Sequence, residues 1–248
     1  MFQLRFEWVT GKLGSFVGPL CDNVRRLSER IAVAARHAGQ DPAAITLVAV
    51  TKTVPAAMVN EALAIGLRDF GENRIQEAKA KIPAVTPGAR WHLIGHLQTN
   101  KVQDAVALFD LIQSVDSFRL GAEISRRAQE IGKKQDVLLQ VRTTGEDQKS
   151  GCKPDEAEEL AARLAVLPGV RLRGLMTIGP LTEEVAQIRT AFRLLKRLSD
   201  RLSETGFGRE TMIYVSMGMS GDFEIALQEG ANMLRIGTAI FGPRERDR

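Results

Sequence analysis

The segment ITLVAVT, residues 45–51, followed directly by Lys52, decides the reading of this chain. A continuous apolar, β-branched run between turn signals suits a strand buried on both faces, as in a parallel sheet. Upstream, Leu20, Val24, Leu27, Ile31, Ala35 and Ala38 recur at threes and fours, one apolar face of a helix that Gly39 and Asp41-Pro42 end. Downstream, strand patterns fall near 68–71, 90–93, 110–113, 137–142, 170–174, 212–215 and 233–236. Helical patterns at 55–65, 73–81, 99–107, 116–131, 154–166, 182–203 and 221–229 separate them, the clearest stripe running Leu181, Val185, Ile188, Phe192, Leu195, Leu198, Leu202. An open doubly wound sheet obeys the same alternation. Eight βα units in about 200 residues favour a single (β/α)8 TIM-type barrel over residues 19–248. The tail after the eighth strand is short and holds Pro243, so the helix at 20–38 is expected to fill the last place in the outer ring.

Composition narrows the partners. Among 248 residues, 34 Lys+Arg against 30 Asp+Glu leave a net charge of +4 with no run of five like charges, so no nucleic-acid stripe is expected. No segment reaches the ~18 apolar residues of a membrane span. The opening residues 1–18 carry Arg5, Glu7 and Lys12 where a signal peptide needs an apolar run, and read as a poorly ordered extension. Two cysteines, Cys21 and Cys152, suit a reducing cytoplasm.

Barrels of this kind carry their chemistry at the C-terminal ends of the strands. Lys52 stands at the first such end, where partial desolvation favours the free amine, a nucleophile toward a carbonyl. The alternative is a strand-end lysine that snorkels to solvent. Gly218, Ser220, Gly221, Gly237 and Thr238 follow strands seven and eight and offer a phosphate cup of backbone N–H groups and hydroxyls. They could equally turn the chain and cap a helix. Arg235, inside the last strand, needs a partner: a carboxylate or a ligand's aromatic nitrogen. His92 and His96 lack the Glu of a zinc-binding helix, so no metal is expected.

Taken together, AVTKTVP (49–55), FGENRIQEA (70–78), WHLIGHLQTNK (91–101), SVDS (114–117), KSG (149–151), GLMTI (174–178), SMGMSGDFEIA (216–226) and LRIGTAIFG (234–242) resemble the YggS/PROSC family of pyridoxal 5′-phosphate homeostasis proteins. The resemblance runs from about residue 20 to 243 and implies the cofactor-binding barrel of alanine racemase. It implies that Lys52 forms an aldimine with pyridoxal phosphate. Ser220, Gly237 and Thr238 would hold the phosphate with help from Ser216 and Gly218. Arg235 would face the pyridine nitrogen, while Asn73 and His92 line the ring. Two stretches depart from the family pattern: Arg142-Thr143-Thr144 replaces a customary asparagine after strand five, and MTIGP (176–180) continues differently.

Three functions compete. The chain buffers or delivers the cofactor without strong catalysis, possible recipients being apo pyridoxal-phosphate enzymes. Or it is a racemase-like enzyme. Or it is a sugar-phosphate isomerase or aldolase using Lys52 without the cofactor. Racemisation needs acid/base groups on both faces of Cα. Lys52 supplies one, the second domain that brings the other in racemases is not expected here, and the sole tyrosine, Tyr214, falls inside a strand. A guanidinium at the ring nitrogen also weakens the cofactor as an electron sink. The carrier reading is therefore the expectation.

Overall fold

The computed structural model describes residues 18–145, 150–207 and 211–243; the expected extension, apart from Gly18, and Lys149 of the KSG motif lie outside them. Eight parallel strands close into a barrel in sequence order: β1 Thr46–Val50, β2 Asp69–Glu72, β3 Arg90–Leu93, β4 Leu111–Val115, β5 Gln135–Gln140, β6 Val170–Met176, β7 Tyr214–Ser216 and β8 Met233–Ile236. Closure is made by β8 against β1, with Leu47 paired to Leu234 and Val48 to Arg235. The register slips once between β4 and β5 and once between β5 and β6.

Helices α1 Pro19–His37, α2 Ala56–Ala64, α3 Ile75–Lys81, α4 Val102–Leu108, α5 Phe118–Glu130, α6 Ala157–Ala165, α7 Val185–Leu202, α8 Phe223–Gln228 and α9 Thr238–Phe241 surround the sheet. Their apolar faces build the larger core against the outside of the barrel. In α7 the buried stripe is Ile188, Phe192, Leu195, Leu198 and Leu202. Leu181 precedes the helix and is 84% exposed, so the stripe starts later than its spacing predicts. The expected gap-filling is observed: α9 has four residues, and Asn23 of α1 donates from Nδ2 to the Ile240 carbonyl at 2.9 Å. Arg30 of α1 reaches Glu224 of α8 at 2.5 Å.

Inside the barrel sits a second, smaller apolar cluster of Val48, Leu111, Leu138, Met176, Tyr214 and Met233. Gly174 in β6 keeps the wall closed: at φ +145°, a Cβ would stand 2.0 Å from the Tyr214 carbonyl oxygen. Above this plug, the ends of β1, β2, β7 and β8 surround a cavity.

Candidate functional site

The cavity has a volume of about 340 Å³ and is lined by Val50, Lys52, Asn73, Ile94, Ile178, Met219, Ser220, Gly221, Arg235, Gly237 and Thr238. Seven residues named from sequence therefore meet in one place: Lys52, Asn73, Ser220, Gly221, Arg235, Gly237 and Thr238. No carboxylate lines the cavity among the described residues, and its charged groups are Lys52 and Arg235.

Lys52 lies in a turn clamped on both sides. Before it, Thr51 is buried and donates from Oγ1 to Glu72 Oε1 at 2.6 Å. After it, the Thr53 amide donates to Glu77 Oε1 at 2.6 Å, and Thr53 holds φ +65°, a left-handed backbone uncommon for a β-branched residue. Lys81 ties these groups together: its Nζ donates to Glu72 Oε1 at 2.5 Å, to the Thr51 carbonyl at 2.6 Å and to Glu77 Oε1 at 2.8 Å. Burial pushes the Glu72 carboxyl above its ordinary range, against the pull of Lys81 and Thr51. No carboxylate of the described residues pairs with the Lys52 ammonium. The clamp was not named from sequence. Its signal was Glu77 and Lys81 at i, i+4 on a helix that follows Glu72 at a strand end.

The opposite side is built from small residues. Gly218 stands at φ +94°, where an added Cβ would meet Ala226 Cβ at 2.6 Å. Asp222 Oδ1 accepts from the Met219 amide at 2.5 Å and closes the Met219–Asp222 turn. Ser220 Oγ accepts from the Ala239 amide at 3.4 Å, joining the loops after β7 and β8. Gly221 opens on free space, with nothing within 4 Å of an added Cβ. Burial pushes the Asp222 carboxyl up, opposed by the Met219 amide and by Arg235.

Arg235 is 4% exposed, and burial pushes its guanidinium down to about 10, with the Asp222 charge acting the other way. It donates from Nη1 to Ser216 Oγ at 2.6 Å and from Nη2 to the Thr177 carbonyl at 2.7 Å. Three sequence-named residues lie outside this lining. Ser216, fully buried, lies beneath Arg235 and is outside the cavity lining. Gly218 is likewise outside the lining; its carbonyl accepts from the Arg235 amide at 3.0 Å. His92 is fully buried between Asp69 and Gln113. His92 and Ser216 lie within β3 and β7, at the depth of the plug, whereas Gly218 lies past the end of β7 and packs against Ala226, Leu234 and Phe223.

Asn73, Ile94 and Ile178 also border a second cavity of about 270 Å³, which adds His96, Gln140, Arg142, Thr144, Ser150 and Thr177. Asn73 Oδ1 and Thr144 Oγ1 are buried atoms without a hydrogen-bond partner among the described residues.

Residues 23–245 match the family described as alanine racemase, N-terminal domain. The chain belongs to this family, on the branch of the pyridoxal phosphate homeostasis proteins. The Pseudomonas aeruginosa protein of that name is 43% identical over 91% of this chain and 96% of its own length. The Aquifex aeolicus one is 40% identical over 91% and 98%. PipY of Synechococcus elongatus, solved with PLP bound, superposes with a TM-score of 0.77 at 38% identity, covering 87% of this chain and all of its own. Clostridium difficile alanine racemase shares the fold, with a TM-score of 0.72 at 18% identity over 91% of this chain and 58% of the racemase. Family members thus share the barrel whose mouth is described above.

Proposed function

We propose that this chain binds pyridoxal 5′-phosphate reversibly, buffers it and delivers it to apo-enzymes, without turning over an amino acid. The observation that carries the reading is one cavity holding a primary amine, a buried guanidinium and a glycine-and-hydroxyl cup, with no carboxylate in its lining among the described residues. The residues fit that ligand. Gly221 leaves space that a Cβ would fill, and the charged lining is wholly cationic, as a phosphate ester requires. The names of its relatives and the bound PLP of PipY support the same ligand.

In this reading Ser220, Gly221, Gly237 and Thr238 hold the phosphate, and Asn73 flanks the ring. When bound, the cofactor supplies an aldehyde conjugated to an electron-withdrawing ring. Lys52 offers its amine for reversible covalent capture of that aldehyde. Arg235, a donor without acceptor capacity, would direct an N–H to the ring nitrogen and leave that nitrogen unprotonated. Ordinary carbanion chemistry wants the opposite. Lys52 and Arg235 are the titratable groups of the lining, so Lys52 has no acid/base counterpart there for a second face of Cα. Both points support a carrier over a racemase. No helix of the described residues is long and apolar enough to cross a membrane, and with two cysteines we place the activity in the cytoplasm.

The test is to load purified protein with pyridoxal phosphate, reduce with borohydride and map the modified peptide. The Lys52 peptide should carry the adduct, and unreduced loaded protein should reactivate an apo pyridoxal-phosphate enzyme. Label on another lysine alone would overturn the site. Incubation with L-alanine in D2O should leave the α-proton and chirality unchanged over hours; exchange at about 1 s⁻¹ or faster, an ordinary enzyme rate, would overturn the carrier reading.

A further inference from the structure

A chain of hydrogen bonds crosses the barrel interior from Arg235 to the opposite end of the sheet. Arg235 Nη1 donates to Ser216 Oγ at 2.6 Å, and Ser216 Oγ donates to Gln113 Oε1 at 2.7 Å. Gln113 Nε2 stands 2.9 Å from His92 Nδ1, and His92 Nε2 stands 3.0 Å from Asp69 Oδ1. Ser216, Gln113 and His92 are fully buried. Asp69 opens β2, at the N-terminal mouth of the barrel, and meets Arg90 at 3.5 Å.

The two ends fix every proton in between. Arg235 only donates and Gln113 Oε1 only accepts, so Ser216 takes the proton of one and gives its own to the other. That orients the amide, whose N–H then points at His92 Nδ1. His92 accepts there, carries its proton on Nε2, and donates it to a carboxylate, which ionised only accepts. All four bonds run in one direction, from a desolvated cation to an anion. Aligned hydrogen bonds polarise one another in a low-dielectric interior.

We propose that Gln113, His92 and Asp69 are positioning residues for Arg235, holding its guanidinium in the orientation it presents to the cavity and opposing its charge from the far end of the barrel. The consequence for ligand binding rests on the pyridoxal-phosphate reading; the proton arrangement does not. Along this line polar side chains cross a plug otherwise built mainly of aliphatic side chains. His92, placed in the pocket by its motif, therefore acts on that pocket through two intervening side chains.

The test uses the full chain. In 15N spectra of ligand-free protein, His92 should be one tautomer protonated on Nε2; a proton on Nδ1 would overturn the chain of bonds. Gln113→Leu cuts the line and leaves Ser216 without its acceptor, so pyridoxal-phosphate affinity should fall about tenfold. Asp69→Asn keeps an acceptor oxygen and removes the charge, so the loss should be about threefold, with a displaced absorption maximum of the bound ligand. Variants that lose stability in urea but keep wild-type affinity and absorption would show a structural role only and sink the proposal. If the wild type binds no pyridoxal phosphate, the functional reading falls, and the His92 tautomer still decides the hydrogen-bond line.

Discussion

The two sides of the cavity are built by opposite means. Beside Lys52 the wall is ionic: buried Lys81 and Glu72 and half-buried Glu77 form a cluster around a turn whose backbone is held in an uncommon conformation. Across the cavity the cup is made of glycines, hydroxyls and one turn-closing carboxylate. On the proposed reading, the contrast follows from what each side must hold. A nucleophilic amine has to be aimed, and a flexible lysine stem is aimed by fixing the backbone on both sides of it. A phosphate has to be approached closely from several directions, which bare backbone N–H groups do best.

That contrast breaks most completely at Lys52. Lys52→Ala should abolish borohydride fixation, while the cup alone still gives weak, reversible binding of pyridoxal phosphate by equilibrium dialysis. An unchanged reduced adduct in the variant would remove Lys52 from the site.

The ionic side should be the more fragile in stability. Lys81→Met leaves the fully buried Glu72 without its cation, a loss of about 3–5 kcal/mol in urea denaturation, of the size seen when one partner of a buried pair is removed. Adding Glu72→Gln should restore part of it. A loss below about 1 kcal/mol would mean that the cluster clamps nothing.

On the cup side the effect should appear in affinity. Ser220→Ala or Thr238→Ala removes one hydrogen bond to a charged group, about 1.5–3 kcal/mol, and should weaken pyridoxal-phosphate binding about 10- to 150-fold. Affinities within twofold of the parent would show that backbone amides hold the phosphate alone.

The smallest effect concerns pH. Asp222 is held above its usual carboxylate range by burial, so the folded state keeps a proton that the unfolded chain has released. Its contribution to stability is present below about pH 3.8 and is lost as pH rises through the folded value. Asp222→Asn keeps an oxygen for the Met219 amide, so the variant should gain on the parent as pH rises from that point. A stability difference flat across the same range would show that Asp222 titrates alike in both states.

The alternation of apolar runs and amphipathic stripes was sufficient to read the eight-stranded barrel, because each strand faces the larger core whatever its neighbours do. Strands 90–93 and 233–236 coincide with β3 and β8. Lys52, Ser220, Gly237 and Thr238 were legible for a related reason: they sit just past strand ends, where the fold itself sends side chains and backbone to the mouth. Depth was not legible. His92 and Ser216 belong to the same motifs as their neighbours, yet closure of the barrel puts them below the cavity, because register across eight strands sets height along the axis and no single segment encodes it. The Glu72–Lys81 clamp and the line from Arg235 to Asp69 have the same origin. The clamp joins the neighbouring β1, β2 and α3, and the line joins strands from across the barrel, so both form only in the packed tertiary structure.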